Sequence, residues 1–157
     1  MTSCREVEQA APALTAALEG RFAAHKHALL ATLRRDGSPR VSGIETSFRN
    51  GELWLAMMPD SRKAADLRRD PRFALHAAPI DLDLVDGDAK LDGRAIEVTD
   101  PAELERFVAG HDQAPPPSGV GLFRAELTGA SLTRVEGDWL VIDSWREGEG
   151  TRQRRRQ

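Results

Sequence analysis

Residues 51–79 read GELWLAMMPDSRKAADLRRDPRFALHAAP, and their punctuation sets out an architecture. Asn50-Gly51 is a hairpin dipeptide, and Glu52–Met57 reads as the strand leaving it, with Trp54 and Leu55 at its centre. Pro59-Asp60 breaks the strand. Ser61 opens a helix that runs to about Asp70 and stops at Pro71, and Arg72–Ala77 follows as a strand with Phe73 and Leu75 on one face. Ser61-Arg62-Lys63 therefore brings a hydroxyl, a guanidinium and an ammonium to a helix N-terminus. Free backbone N–H groups and the helix dipole favour an anion there. Arginine adds a fork that fits phosphate oxygens, and lysine adds a point charge. Two readings fit these three residues: a phosphate pocket, or a capping serine beside two solvated cations.

Working outward, the same grammar continues. Upstream, Ala28–Leu33 is a short apolar run, Asp36-Gly37 marks a hairpin, and Arg40–Phe48 is the next strand. A helix is expected from Pro12 to about Ala24, with Leu14, Ala17, Leu18 and Phe22 on one face. Downstream, Pro79–Asp88 is an acidic loop and Ala89–Val98 a long strand. Asp100-Pro101-Ala102-Glu103 starts a helix that buries Leu104, Phe107 and Val108 and ends at Gly110. Asp112–Gly119 is a proline-stiffened loop. Two last strands follow, Leu122–Val135 with a bend at Gly129, and Trp139–Trp145, joined at Glu136-Gly137-Asp138. The pattern predicts a mainly β protein with short helices, six or seven antiparallel strands forming a small closed or split barrel. Residues 1–147 form one domain, and the basic tail 148–157, with no apolar residue, is expected to be disordered.

Composition narrows the function classes. At 157 residues the chain is one domain with room for a core. A net charge of -3 gives no general attraction to nucleic acid or an anionic membrane. The single cysteine, Cys4, excludes an internal disulfide and a cysteine-cluster metal site. His25, His27, His76 and His111 lack metal-ligand spacing on any one element, so no metal is expected. No apolar run approaches the roughly 20 residues of a membrane span, and the N-terminus has no signal-peptide pattern. A cytoplasmic location is the expectation. No Ser-His-Asp spacing and no glycine-rich phosphate loop is visible.

The Gly51–Pro79 stretch resembles the flavin-binding split barrels related to pyridoxamine 5′-phosphate oxidase, in which a strand, a turn ending Ser-Arg-Lys, a helix, Asp-Pro-Arg and a strand follow in this order. HALLATLRRDGSPRVSGIETSF, His27–Phe48, is similar to that family's first hairpin, and GDAKLDGRAIEVTDPAELERFVAGH to its central strand and helix. The resemblance covers roughly Ala24–Trp145. It implies an FMN-binding oxidoreductase whose cofactor phosphate sits on Ser61, Arg62 and Lys63. The flavin ring would lie along Ser42, Gly43, Ile44 and Glu45 and meet Ala56 and Met57, where the family often has aromatic or hydroxyl residues. Asp88 stands where the family often has a glutamine near the flavin, with Lys90 beside it. The resemblance also implies a homodimer with each cofactor between subunits and a small-molecule substrate. Two alternatives accompany it: a reductase using the deazaflavin coenzyme (F-420), whose extra negative charge Arg62, Lys63, Arg68 and Arg69 would suit, and a non-catalytic carrier of a flavin or another planar ligand. The family's C-terminal Arg-Leu-x-Pro motif is absent here. Trp139 and Trp145 share a strand face and are expected in core or dimer packing.

Overall fold

The computed structural model describes residues 2–78 and 83–157. Among these, four helices and eight strands are formed: α1 (Cys4–Ala10), α2 (Pro12–Ala23), β1 (His27–Leu33), β2 (Pro39–Arg49), β3 (Glu52–Met57), α3 (Arg62–Arg69), β4 (Arg72–Ala77), β5 (Asp88–Glu97), α4 (Pro101–Ala109), β6 (Gly121–Glu136), β7 (Trp139–Arg146) and β8 (Gly150–Arg156). All pairings are antiparallel, in the order β3-β2-β1-β4-β5-β6-β7-β8, and β3 also pairs with β6. Six strands thus close a barrel, which leaves no edge among them. β7 and β8 extend one wall beyond it.

Alternation fills the barrel. Leu30, Leu53, Leu55, Leu75 and Phe123 are almost fully buried and point inward, while their neighbours face out. The β2–β3 turn has Asn50 and Gly51 both at positive φ, 56° and 76°, which is the type I′ geometry that matches strand twist. The bend expected at Gly129 is a bulge: Asp92 faces Gly129, Gly93 faces Leu127, and Thr128 is the extra residue. A side chain at Gly93 would bring its Cβ within 2.0 Å of the Glu126 carbonyl oxygen, so only glycine fits there.

Two expectations are corrected. The sequence reading missed α1, although Ser3-Cys4-Arg5-Glu6 carries a full capping box: the Glu6 N–H donates to Ser3 Oγ (3.3 Å) and the Ser3 N–H to Glu6 Oε2 (2.7 Å). α1 then docks on the β2–β3 turn through Arg5, whose N–H donates to the Gly51 carbonyl. The tail is not disordered either, because residues 150–156 form β8 along β7. Main-chain bonding to an open strand edge needs no apolar residue, and all seven β8 residues are exposed. Gln153 donates to Asp143 (2.7 Å), and Arg155 reaches Glu136 (2.9 Å) and lies over the Trp139 ring. Trp145 is in the core, at 5% exposure. Part of the expected acidic loop, residues 79–82, lies outside the described residues. No helix among the described residues is long and apolar enough to cross a membrane.

Candidate functional site

α3 carries the Ser-Arg-Lys segment, and its placement is set from below. Asp66, one turn in, is buried at 3% exposure. Its Oδ2 accepts from Thr32 Oγ1 (2.9 Å) on β1 and from Arg40 Nε (2.7 Å) on β2, while its Oδ1 accepts from Arg69 (3.1 Å). Burial opposes ionisation of this carboxyl, but the hydrogen bonds from Arg40, Thr32 and Arg69 outweigh it and hold the group below the ordinary aspartate range. Arg68 is spent on Glu97, with two bonds of 2.9 and 2.7 Å to one oxygen, and also donates to the Pro59 carbonyl. Arg68 and Arg69 are therefore bound within the fold rather than free to meet a long anionic ligand.

At the start of α3, Ser61 caps the helix, accepting from the Ala64 N–H (3.3 Å). Arg62 is exposed and pairs with no described residue. Lys63 turns inward. Its Nζ donates to the Gly43 carbonyl at 2.6 Å and meets no carboxylate among the described residues. Burial lowers its pKa from the usual lysine value.

Beside Lys63 opens a cleft of about 430 Å3, within the ordinary size range of small-molecule sites. One wall is Gly43, Ile44 and Glu45 of β2 with Ala56, Met57 and Met58 at the end of β3. The other is Phe107 and Val108 of α4, His111, the Gln113–Pro116 segment and Val120. Gly43 pairs regularly with Leu29 and is no bulge. A Cβ at Gly43 would meet nothing within 4 Å, so its missing side chain leaves the cleft floor bare. Glu45 lies at the mouth with Lys26 (3.2 Å) and His27 (3.6 Å) as ion-pair partners.

The structure thus gathers Gly43, Ile44, Glu45, Ala56, Met57 and Lys63 around one cleft, with Ser61 and Arg62 at the helix end beside Lys63. Ser42 faces the other way, and its Oγ is buried without a hydrogen-bond partner among the described residues. Asp88 and Lys90 stand outside the cleft: Lys90 shares a cross-strand row with Gly43 through Leu29 and His76, three strand spacings or about 14 Å away.

The α4 wall was not legible as part of the site. Phe107 packs at a tilt against His111 (centroids 4.3 Å apart) and against Trp54 (5.7 Å). Arg49 lies over its ring and donates to the Gly110 carbonyl, pinning the helix end. Pro115 and Pro116 were the only sequence signal, as stiffeners of the loop. A larger groove, about 680 Å3, lies between α2 and the β6–β8 extension. It holds none of the predicted site residues, and its Arg134 is already neutralised by Asp143 and Glu136. No cluster of three metal-ligating side chains exists among the described residues.

Comparison with known proteins accords with this geometry. The chain's fold is shared by PhzG from Burkholderia lata 383, solved in complex with tetrahydrophenazine-1-carboxylic acid, at 15% identity over 92% of this chain and 88% of that one (TM-score 0.69). It is shared too by the conserved hypothetical protein Rv2991 from Mycobacterium tuberculosis, at 24% identity over 69% and 78% (TM-score 0.56). An F420 reductase matches at 22% identity over 67% and 88% (TM-score 0.51). No curated protein matches the chain. The family described as pyridoxamine 5′-phosphate oxidase matches residues 14–133, and with three-quarters of its length inside that match the chain is a split-barrel member of the pyridoxamine 5′-phosphate oxidase family.

Proposed function

We propose that this protein is a flavin-dependent oxidoreductase that binds FMN in the cleft between β2–β3 and α4. The observation that carries the reading is Lys63: a partly desolvated ammonium, unpaired with any described carboxylate, at the first turn of a helix and at the cleft floor. Arg62, exposed and unpaired among the described residues, adds a second cation one residue away at the N-terminus of α3. The bare backbone at Gly43 admits a flat ring against β2, and Ala56 and Met57 offer it an apolar edge. When bound, the flavin supplies the hydride chemistry; the chain supplies position, charge and exclusion of water. Outside the cleft, Leu29 (45% exposed) and Val41 (67%) form an apolar surface on the β1–β2 outer face. That surface supports a homodimer covering the cleft mouth, in the cytoplasm, with a small-molecule substrate and no nucleic acid.

The deazaflavin coenzyme remains the competing ligand on the same fold. The pairing of Arg68 and Arg69 to Glu97 and Asp66 takes up two of the four cations that would suit its longer anionic tail. Side-by-side titration with FMN and with the deazaflavin coenzyme decides between them. The expected result is FMN binding that falls at least about tenfold in Arg62→Ala/Lys63→Ala, the loss of two charge-assisted contacts. Unchanged affinity in that double variant sinks the phosphate assignment, and preference for the deazaflavin overturns the choice of cofactor.

A further inference from the structure

The two walls of the cleft differ in chemistry. The β2 side has Lys63, the group assigned to the cofactor phosphate. On the α4 side, from Phe107 to Val120, no lining residue is a lysine or an arginine. Val108, Pro115 and Pro116 give it an apolar surface around Phe107. Arg49 and Arg106 line a separate cavity that shares only Phe107 with the cleft, and Arg49 is held by the Gly110 carbonyl and the Phe107 ring. A second phosphate entering against this wall would lose its hydration with no lysine or arginine of the wall to replace it.

Two polar side chains stand on this wall, His111 and Gln113, and of the two His111 is the one held by a hydrogen bond among the described residues. His111 Nδ1 lies 2.8 Å from the Phe107 carbonyl oxygen. A carbonyl only accepts, so Nδ1 carries the hydrogen and, in the neutral ring, Nε2 is left as an acceptor. The tilted contact with Phe107, rings 4.3 Å apart and inclined at 48°, packs one side of that ring.

We infer that the α4 wall selects an uncharged, planar, largely apolar substrate bearing an O–H or N–H, and that His111 Nε2 accepts that hydrogen. The role as substrate rests on the cofactor reading above; the selectivity of the wall does not. His111 acts here as a specificity-determining residue. A phosphorylated substrate, of the kind the family description names, is rejected by the same wall.

Three matched probes test this: 2-naphthol, 2-methoxynaphthalene and 2-naphthyl phosphate, titrated by their own fluorescence against the full chain, with and without saturating FMN. The expected order with FMN saturating the Lys63 site is naphthol tightest, the methoxy compound weaker by about fivefold for one lost hydrogen bond, and the phosphate ester weaker than naphthol by at least about tenfold; without FMN only the two neutral probes are compared. His111→Ala abolishes the preference for O–H over methoxy, and His111→Gln restores part of it. A merely structural role for His111 would weaken both neutral probes alike and leave their ratio intact. Equal or tighter binding of the phosphate ester, no binding of naphthol, or an unchanged ratio in His111→Ala overturns the inference. Failure of FMN to bind overturns the cofactor reading alone, because the preference for O–H over methoxy is also read on the cofactor-free protein, where the phosphate ester can reach Lys63 and is not scored.

Discussion

Arg40 on β2 and Asp66 on α3 meet at 2.7 Å, and through this contact the barrel wall holds the helix that presents Lys63. Thr32 shares the same oxygen, and Arg69 takes the other. A nearly buried carboxylate with three donors has its desolvation offset only while all three remain.

Asp66→Asn removes the charge and leaves Arg40 and Arg69 without their counter-ion. The expected loss is about 3 kcal/mol of folding stability, read as a lowered urea midpoint. FMN affinity should fall as well, because α3 loses its seat on β1 and β2.

The same carboxyl makes stability depend on acid. Its pKa in the folded protein is below the ordinary aspartate value, so the folded state binds fewer protons than the unfolded one as pH drops. Its contribution is present above the unfolded aspartate pKa, about 3.9, and is lost as pH falls through the lower folded value. Asp70, held at about 2 by Arg72, titrates in the same direction. Urea midpoints measured from pH 6 to pH 2 should fall, and Asp66→Asn should flatten the part below about pH 4. An equally steep fall in the variant would show that other groups carry it.

Gly43→Val separates folding from binding. The new Cβ enters open space, and valine suits a strand better than glycine does, so thermal stability should hold or rise slightly. The branched side chain stands over the cleft floor, and FMN binding should drop by more than about tenfold. Unaltered binding would mean the ring does not lie against β2.

Ending the chain at Glu147 removes β8. Because β8 buries none of its own residues, the barrel should keep its fold with a loss of about 1 kcal/mol or less, seen as a small shift in melting temperature. The bared edge of β7, with Val141 and Ile142, should raise self-association in sedimentation.

Cys4 should be unreactive in the native protein. It is 3% exposed, and burial first, then the charge of Glu52, pushes its thiol up to about 12. Aromatic disulfide reagents should modify it only at the rate of unfolding; rapid modification at pH 8 would show that α1 detaches.

Most elements were legible because their signals are local. β3 and β4 fall where alternation and turn residues put them, and α3 is bracketed by its cap Ser61 and by Pro71. α1 was legible but overlooked, since its capping box lies within four residues. β8 was not, because an edge strand of arginines follows no hydropathy pattern; its partner, β7, makes it a strand.

The sequence by itself determined that the strands run antiparallel, the helix that begins at Ser61, and the cations at its head. These depend on turn geometry, capping and alternation, each satisfied within a few neighbouring residues. Tertiary structure alone decided which cation turns inward, which arginines are already spent, and what faces the predicted wall. Lys63 meets Gly43 from 20 positions away, and the Phe107–His111 wall comes from more than 40. Barrel closure brings such distant groups together, and whether a charge is paired or free is settled only when its neighbours are in place.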